Sequence, residues 1–535
     1  MKQSRTEPPF RRLLIANRGE IALRIIRACR ELDIETVAVF SDADADALHV
    51  RAADQSYRVG PAPAAASYLV ADAIIAAAVA AGADAIHPGY GFLSEQAAFA
   101  AAVEARGIVF VGPTPDTLAG LGDKIAARQS ARANDVPIVP GTFEPIAVGG
   151  VGDEQRIASI ASEIGYPVLV KAAAGGGGRG MRRVDDPAEL SAAVTAAAGE
   201  ALQSFGSARV YLEHYVEGGR HIEVQLLGDA HGNIVALGER DCSIQRRHQK
   251  LVEEAPAPGL TADDRRRIHG LAVRVARSVG LRNAATAEFL VTGAGEAYFL
   301  EVNARLQVEH GVTELVSGID LVHEQLWIAA GQPLSDKVVA ASHDLVRPDR
   351  HAIELRISAE DPARAFAPMP GRIVRWREPA GPGVRVDSGV EEGMTVSGDY
   401  DPLLSKILVV APDRDGAIRR ARRAVAEMET GGIQTTLPFH AWLLRHPAFV
   451  TGAVRTDLVD RDWAPSPLRE AAARRAISAV AQLLRTERSA SEDAGTPRVA
   501  GQPDVTSAGP AGDASGRTRD AWTQTARREA TERWP

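Results

Sequence analysis

Apolar and polar positions in the N-terminal part of the chain follow two periods in turn. Short apolar runs at Arg12–Ala16, Thr36–Phe40, Ala83–His87 and Ile108–Val111 have the length of buried strands. Between the first two, Ile21, Ile25, Cys29 and Leu32 recur at spacings of four, four and three and line one face of a helix. Strands alternating with helices predict a parallel α/β sheet, in a unit ending near Lys124. From Ala126 to Pro333 the pattern changes. Arg220–Gly228 alternates, with His221, Glu223 and Gln225 on one face and Ile222, Val224 and Leu226 on the other, a pattern that a solvated sheet face also satisfies. Thr142–Tyr215 reads as a subdomain around a glycine-rich loop. From Arg347 onward come short strands and turns, such as Gly371–Trp376 and Pro382–Gly389, then a helix at Asp415–Glu429. Past Ser466 an Ala/Arg-rich stretch has helical character. Ser489–Gly516 has no periodicity and too little apolar surface to offset its ordering entropy, which predicts disorder.

Composition narrows the function. A chain of 535 residues exceeds one compact core, so several domains are expected. The net charge of -8 argues against a nucleic-acid partner held by a global field. No apolar run reaches membrane-spanning length, and Met1–Pro9 lacks the apolar core of a signal peptide. Two cysteines, Cys29 and Cys242, are too few for a disulfide framework or a zinc cluster. A cytoplasmic protein is expected.

Three segments carry candidate chemistry. In Val168–Gly180 a strand and Lys171 precede the consecutive glycines Gly175, Gly176, Gly177 and Gly178, whose backbone N–H groups are able to cradle an anion. The run matches neither the P-loop nor the dinucleotide fingerprint. In the second segment, Thr286–Val291 and Ala297–Val302 are strand-like and Gly293–Glu296 is a turn, so a four-residue loop sets Glu288 opposite Glu301, with Asn303 on the same face. Like charges so placed repel, and magnesium, a hard cation that bridges carboxylates to phosphates, relieves that. Beyond the hairpin, Arg305, Gln307 and Glu309 alternate and on an extended segment point one way, which suits a small oxyanion that must lose a proton. His310 and Cys242 read as structural residues. The third segment, Glu239–Glu254, concentrates Arg246, Arg247, His248 and Lys250, which suits anion capture and equally suits a charged exposed face.

Taken with Ile15–Ile21, His87–Glu95, Gly122–Lys124 and His351–Asp361, these segments resemble the biotin carboxylase family of the ATP-grasp superfamily, over about Arg11 to Asp462. The resemblance implies an N-terminal α/β domain at 10–124, an ATP-grasp domain at 125–340 with a mobile lid at about 142–215, a mixed β/α domain at 345–463 and a disordered tail at 464–535. It implies that Lys124 and Lys171 hold ATP phosphates under the Gly175–Gly178 lid, and that Glu213, Val216, His221, Gln245, His248 and Leu290 surround the nucleoside. Lys250 is then near the γ-phosphate, Glu288, Glu301 and Asn303 bind magnesium or manganese, and Arg305, Gln307 and Val308 seat bicarbonate. Glu309 is the base, and Arg356 stabilises the enolate-like ureido oxygen of biotin. Gln96, Ala304, Gly311, Thr436 and His214 depart from the family's usual residues. No biotinyl-lysine motif is present, so the expected partners are a biotin carboxyl carrier protein and a carboxyltransferase on separate chains, in an acyl-CoA carboxylase, with the chain itself a homodimer. Pyruvate or urea carboxylation and a non-catalytic nucleotide-binding scaffold are the alternatives.

Overall fold

The computed structural model describes residues 7–122, 124–146, 153–173, 181–205, 207–346, 348–465 and 478. Gly175–Gly178, and with them the lid loop, lie outside these residues, as does the predicted tail apart from 464, 465 and 478.

The N-terminal sheet has five strands in the order Gln55–Gly60, Glu35–Ser41, Arg12–Ile15, Ala85–His87 and Val109–Phe110, all parallel. Both faces are apolar, as helix-covered parallel strands require. Leu14, Val37, Val39 and Ile86 pack on one side, and Leu13, Ile15 and Ala85 on the other against Ile21, Ile25 and Cys29. The edge strand Gln55–Gly60 has no apolar run of its own, because Ser56 and Arg58 face solvent. Asn17, in the turn after the first strand, donates from Nδ2 to the carbonyls of Pro88 (2.7 Å) and Tyr90 (2.8 Å), joining two loops at the carboxyl end of the sheet.

The largest element is an eight-stranded sheet in the order Ala297–Asn303, Asn283–Val291, Arg220–Gly228, Ile234–Arg246, Gln249–Ala255, His351–Ser358, Leu403–Ala411 and Val384–Ser388. Every neighbouring pair is antiparallel. It runs without a break through the boundary expected near residue 345. Glu253 and Arg356, far apart in sequence, therefore stand on adjacent strands, with Lys406 on the next one. Lys171 and Glu213 lie instead on a three-stranded sheet, Arg182–Val184, Val168–Ala172 and Val210–His214, with its own small core.

Two expected elements differ. The helix spans Arg414–Glu427 rather than Asp415–Glu429, because the Asp413 side chain accepts from the Gly416 N–H and caps it one residue earlier. Glu429 then opens the strand Glu429–Gly431. The single strand expected at Gly371–Trp376 divides into Gly371–Arg372 and Arg375–Arg377, which pair with different partners.

Candidate active site

The carboxylates meet where the hairpin reading placed them, though by a different local path. Glu288 pairs directly with Glu301. The turn is one residue shorter than expected, residues 293–295, since Val291 pairs with Ala297 and the Thr292 N–H donates to the Glu296 carbonyl at 2.9 Å. Pairing next to the turn is therefore one residue off the expected register. A bulge between Phe289 and Glu288 takes up the extra Leu300 and restores it. Phe289 and Phe299 are buried, whereas Leu290 and Leu300 are only half-buried.

The carboxylate row is longer than the sequence indicated. Glu288 is also in register with Glu223, and Glu223 with Arg240, so Glu301, Glu288, Glu223 and Arg240 cross four strands on one face. Protein cations hold the row together. Arg240, wholly buried, is paired with Glu223 and donates to Gln225 Oε1 (2.9 Å), Thr313 Oγ1 (2.9 Å) and Thr286 Oγ1 (3.1 Å). His221 stands 3.0 Å from Glu288. Burial opposes charge on this imidazole, but Glu288 outweighs it and raises the His221 pKa. Lys250 donates to Glu288 Oε1 at 3.2 Å and to Glu309 Oε1 at 2.7 Å, and also pairs with Glu223. The polar face of Arg220–Gly228, for which a solvated position was one reading, is buried at Glu223 and Gln225, because Arg240 and Lys250 neutralise it.

Glu309 is wholly buried. Arg356 Nη2 donates to its Oε2 at 2.8 Å, and Arg356 Nε donates to Glu253 Oε1 at 2.6 Å. Burial alone raises a carboxyl pKa, but Lys250, Arg356 and Arg240 outweigh it and hold Glu309 well below the usual carboxylate range. The Cys242 thiol lies 3.9 Å from Glu309 Oε1, and burial among carboxylates pushes its pKa well up. It is a neutral wall of the site.

Arg305, Gln307 and Glu309 do not point one way, because the chain leaves its extended path after Asn303 and Glu309 becomes the N-cap of the helix His310–Ser317. Arg305 and Gln307 do meet, Nη1 donating to Oε1 at 2.9 Å. Arg305 also donates to Asn303 Oδ1 (3.1 Å) and to Glu95 Oε2 (2.9 Å), and the other Glu95 oxygen accepts from the Ala304 N–H at 3.1 Å. The buried Gln307 Nε2 has no acceptor among the described residues. An unmet buried N–H costs about 1–3 kcal/mol, and an oxyanion beside Arg305 satisfies it.

The remaining predicted residues are dispersed. Gln245 is buried opposite Lys250. His248 sits with Arg247 in the turn to the next strand, both at positive φ. Leu290 pairs with His221, and Val216 follows the strand Val210–His214. Glu213 is held by Arg128 and by Lys171, 2.9 Å away. Lys124 opens the helix Lys124–Ala133, and its side chain lies outside the described residues. His214 Nδ1 is 2.9 Å from the Gly165 carbonyl. Sequence reading did not assign Glu223, Arg240, Glu253 or Lys406, although the alternation at His221–Gln225 marked the first. At the departure Thr436, Oγ1 donates to the Arg356 carbonyl at 2.7 Å, so this threonine fixes the arginine's backbone. At the departure Gly311, a Cβ would lie 2.3 Å from Leu408 Cδ2, so Leu408 occupies the room that a side chain there needs.

Glu288, Glu301 and Asn303 offer hard oxygen donors on one face, and Glu288 already attracts two cationic groups, which fits a divalent cation. A row of carboxylates suited to a divalent cation thus lies beside Arg305 and the unmet Gln307 amide, an arrangement that fits an ATP-grasp ligase. The ATP-binding domain of carbamoyl-phosphate synthase L chain matches residues 123–337. The biotin carboxylase N-terminal domain matches 9–118 and the C-terminal domain 354–461. A biotin carboxylase of Nostoc sp. is 49% identical over 453 residues, covering 84% of this chain and 98% of that protein. The propionyl-CoA carboxylase alpha chain of Ruegeria pomeroyi is 44% identical over 507 residues, 89% of this chain and 73% of that one. Among solved structures, the biotin carboxylase domain dimer of Hydrogenobacter thermophilus 2-oxoglutarate carboxylase, in complex with MgADP, ADP and bicarbonate, superposes with a TM-score of 0.80 at 42% identity, covering 85% of this chain and 99% of that one. The chain belongs to the biotin carboxylase family and is an ATP-dependent ligase of that kind. Among the described residues, no helix is long and apolar enough to cross a membrane.

Proposed function

We propose that the chain carboxylates biotin borne on a separate carrier protein, using bicarbonate and MgATP, as the first half-reaction of an acyl-CoA carboxylase. The observation that carries this reading is the buried, acceptor-less Gln307 amide beside Arg305, a few residues from a carboxylate kept ionised by Lys250 and Arg356. Arg305, Gln307 and Val308 seat bicarbonate, and Glu309 takes its proton. The freed oxygen attacks the γ-phosphorus, the bond to ADP breaks, and carboxyphosphate forms. It divides into carbon dioxide and phosphate, and the phosphate removes the N1 proton of biotin. Arg356 steadies the negative ureido oxygen while N1 captures carbon dioxide.

Lys250 and Arg356 both rest on Glu309 in this structure. When ATP phosphates draw Lys250 away, the Glu309 carboxylate loses an opposing charge and becomes a better base. Lys124, Lys171 and Gly175–Gly178 hold the phosphates, while Glu213, Val216, His221, Gln245, His248 and Leu290 enclose the nucleoside. A magnesium ion held by Glu288, Glu301 and Asn303 supplies charge neutralisation at the phosphates. The chain acts as a homodimer, a reading that the dimer of the Hydrogenobacter biotin carboxylase domain supports. That the propionyl-CoA carboxylase alpha chain of Ruegeria pomeroyi is among the relatives, at 44% identity, supports an acyl-CoA system.

Phosphate release from ATP by the purified chain, with bicarbonate and magnesium and with or without free biotin, tests the reading. Biotin- and bicarbonate-dependent release, absent in Glu309→Ala and Arg356→Ala, is expected. Nucleotide binding without any such turnover at high biotin favours a scaffold instead.

A further inference from the structure

Lys406 has no part in the chemistry above, yet its side chain is wholly buried. It lies on the strand Leu403–Ala411, directly across from Arg356 on one side and Asp387 on the other. Directly paired residues share a sheet face, so Lys406 enters the face that carries Arg356. There its Nζ donates to the Val308 carbonyl at 2.8 Å. Glu20 at 3.3 Å and Asp387 at 3.9 Å supply opposing charge, and the Tyr90 hydroxyl donates to Glu20. Taking an ammonium out of water costs several kcal/mol, and a methionine fills similar volume without that cost. What the ammonium provides toward the site is a donor to one carbonyl.

That carbonyl belongs to the peptide joining Val308 to Glu309, in a stretch outside the sheet ladder. The Glu309 carboxylate is held by Lys250 and Arg356, and the peptide that precedes it is held by Lys406. Rotation of the peptide would move the carboxylate and the neighbouring Gln307 together. We propose that Lys406 is a positioning residue for bicarbonate, clamping the Val308–Glu309 peptide so that the oxyanion seat and the base keep a fixed separation. This rests on the assignment of Arg305, Gln307 and Val308 as that seat.

The test measures biotin-dependent phosphate release by Lys406→Met and by the double variant Lys406→Met/Glu20→Gln, with bicarbonate and ATP varied independently. A misplacement of about 1 Å costs up to ~100-fold, so kcat/KM for bicarbonate should fall roughly 10- to 100-fold. The KM for ATP and the Kd for ADP by calorimetry should stay within about twofold, the split that separates positioning of one substrate from a general structural role. Unchanged bicarbonate kinetics, or parallel losses for ATP and bicarbonate, overturn the proposal. If the single variant does not fold, the double variant, which removes a buried carboxylate with the lysine, is judged by the same criteria. Loss of ADP binding in both assigns Lys406 to structure alone and overturns it as well. Failure of the unmodified chain to release phosphate in response to bicarbonate is a separate result, and it sinks the carboxylase reading itself.

Discussion

Leu14 and Glu223 are each fully buried within a sheet strand, and their surroundings are opposite in kind. Leu14 packs among Val37, Val39 and Ile86 in the parallel sheet, where burial itself is the stabilising interaction. Glu223 lies between Glu288 and Arg240 in the antiparallel sheet, where burial is a cost that ion pairs offset only in part. The first sheet is a scaffold that any well-packed apolar set would build. The second keeps charge in a low-dielectric interior, where each interaction with a phosphate or an oxyanion gains strength. The difference separates burial that itself stabilises the fold from buried charge that must be offset, and substitutions in the two sheets should fail for different reasons.

The sharpest contrast is expected at Glu309. Glu309→Gln should lower biotin-dependent phosphate release by about 10²- to 10⁴-fold while ADP binding by calorimetry holds. Retained turnover would break the contrast. Next comes Arg240. Arg240→Met leaves Glu223 buried and short of a partner and should cost about 3–5 kcal/mol in a denaturant titration. Adding Glu223→Gln should recover much of that loss; additive losses would mean that the pair is not the origin of the cost. In the parallel sheet, Leu14→Ala should destabilise by about 2–4 kcal/mol through its cavity, with KM values for ATP and bicarbonate unchanged.

The smallest effect at neutral pH belongs to two buried histidines of the same unit. Burial lowers His49 to about 4 and His87 to about 3, against an ordinary value near 6.5. The unfolded chain then binds protons that the folded one refuses. Stability should be fully present above about 6.5, decline as the pH falls, and level off near 3. A thermal midpoint followed from pH 7 to 4 should drop, and less steeply in His49→Gln. A midpoint indifferent to pH in that range would mean that neither ring is buried in neutral form.

The parallel sheet was legible because its strands are unbroken apolar runs, apart from the edge strand Gln55–Gly60, whose outward residues are polar. The Glu288–Glu301 pair was legible because a hairpin is local. Its expected register at the turn was nevertheless wrong, and the Leu300 bulge returned the chain to the expected pairing. The union of Glu253, Arg356 and Lys406 was not legible, since only the strand order makes neighbours of segments so distant in sequence. The direction of Glu309 also escaped the alternation rule, because a helix begins there and ends the extended geometry.

The strand His351–Ser358 has partners on both sides, Gln249–Ala255 and Leu403–Ala411, and is preceded by the exposed Asp349 and Arg350. A protease that nicks the chain there would sever a covalent link without separating the pieces. The two fragments should migrate together on a native gel and part only in denaturant, with Arg356 still facing Glu309 across the cut. Expressed alone, the C-terminal fragment would display a bare strand edge and invite aggregation, whereas co-expression of both halves should reconstitute a working enzyme from two genes.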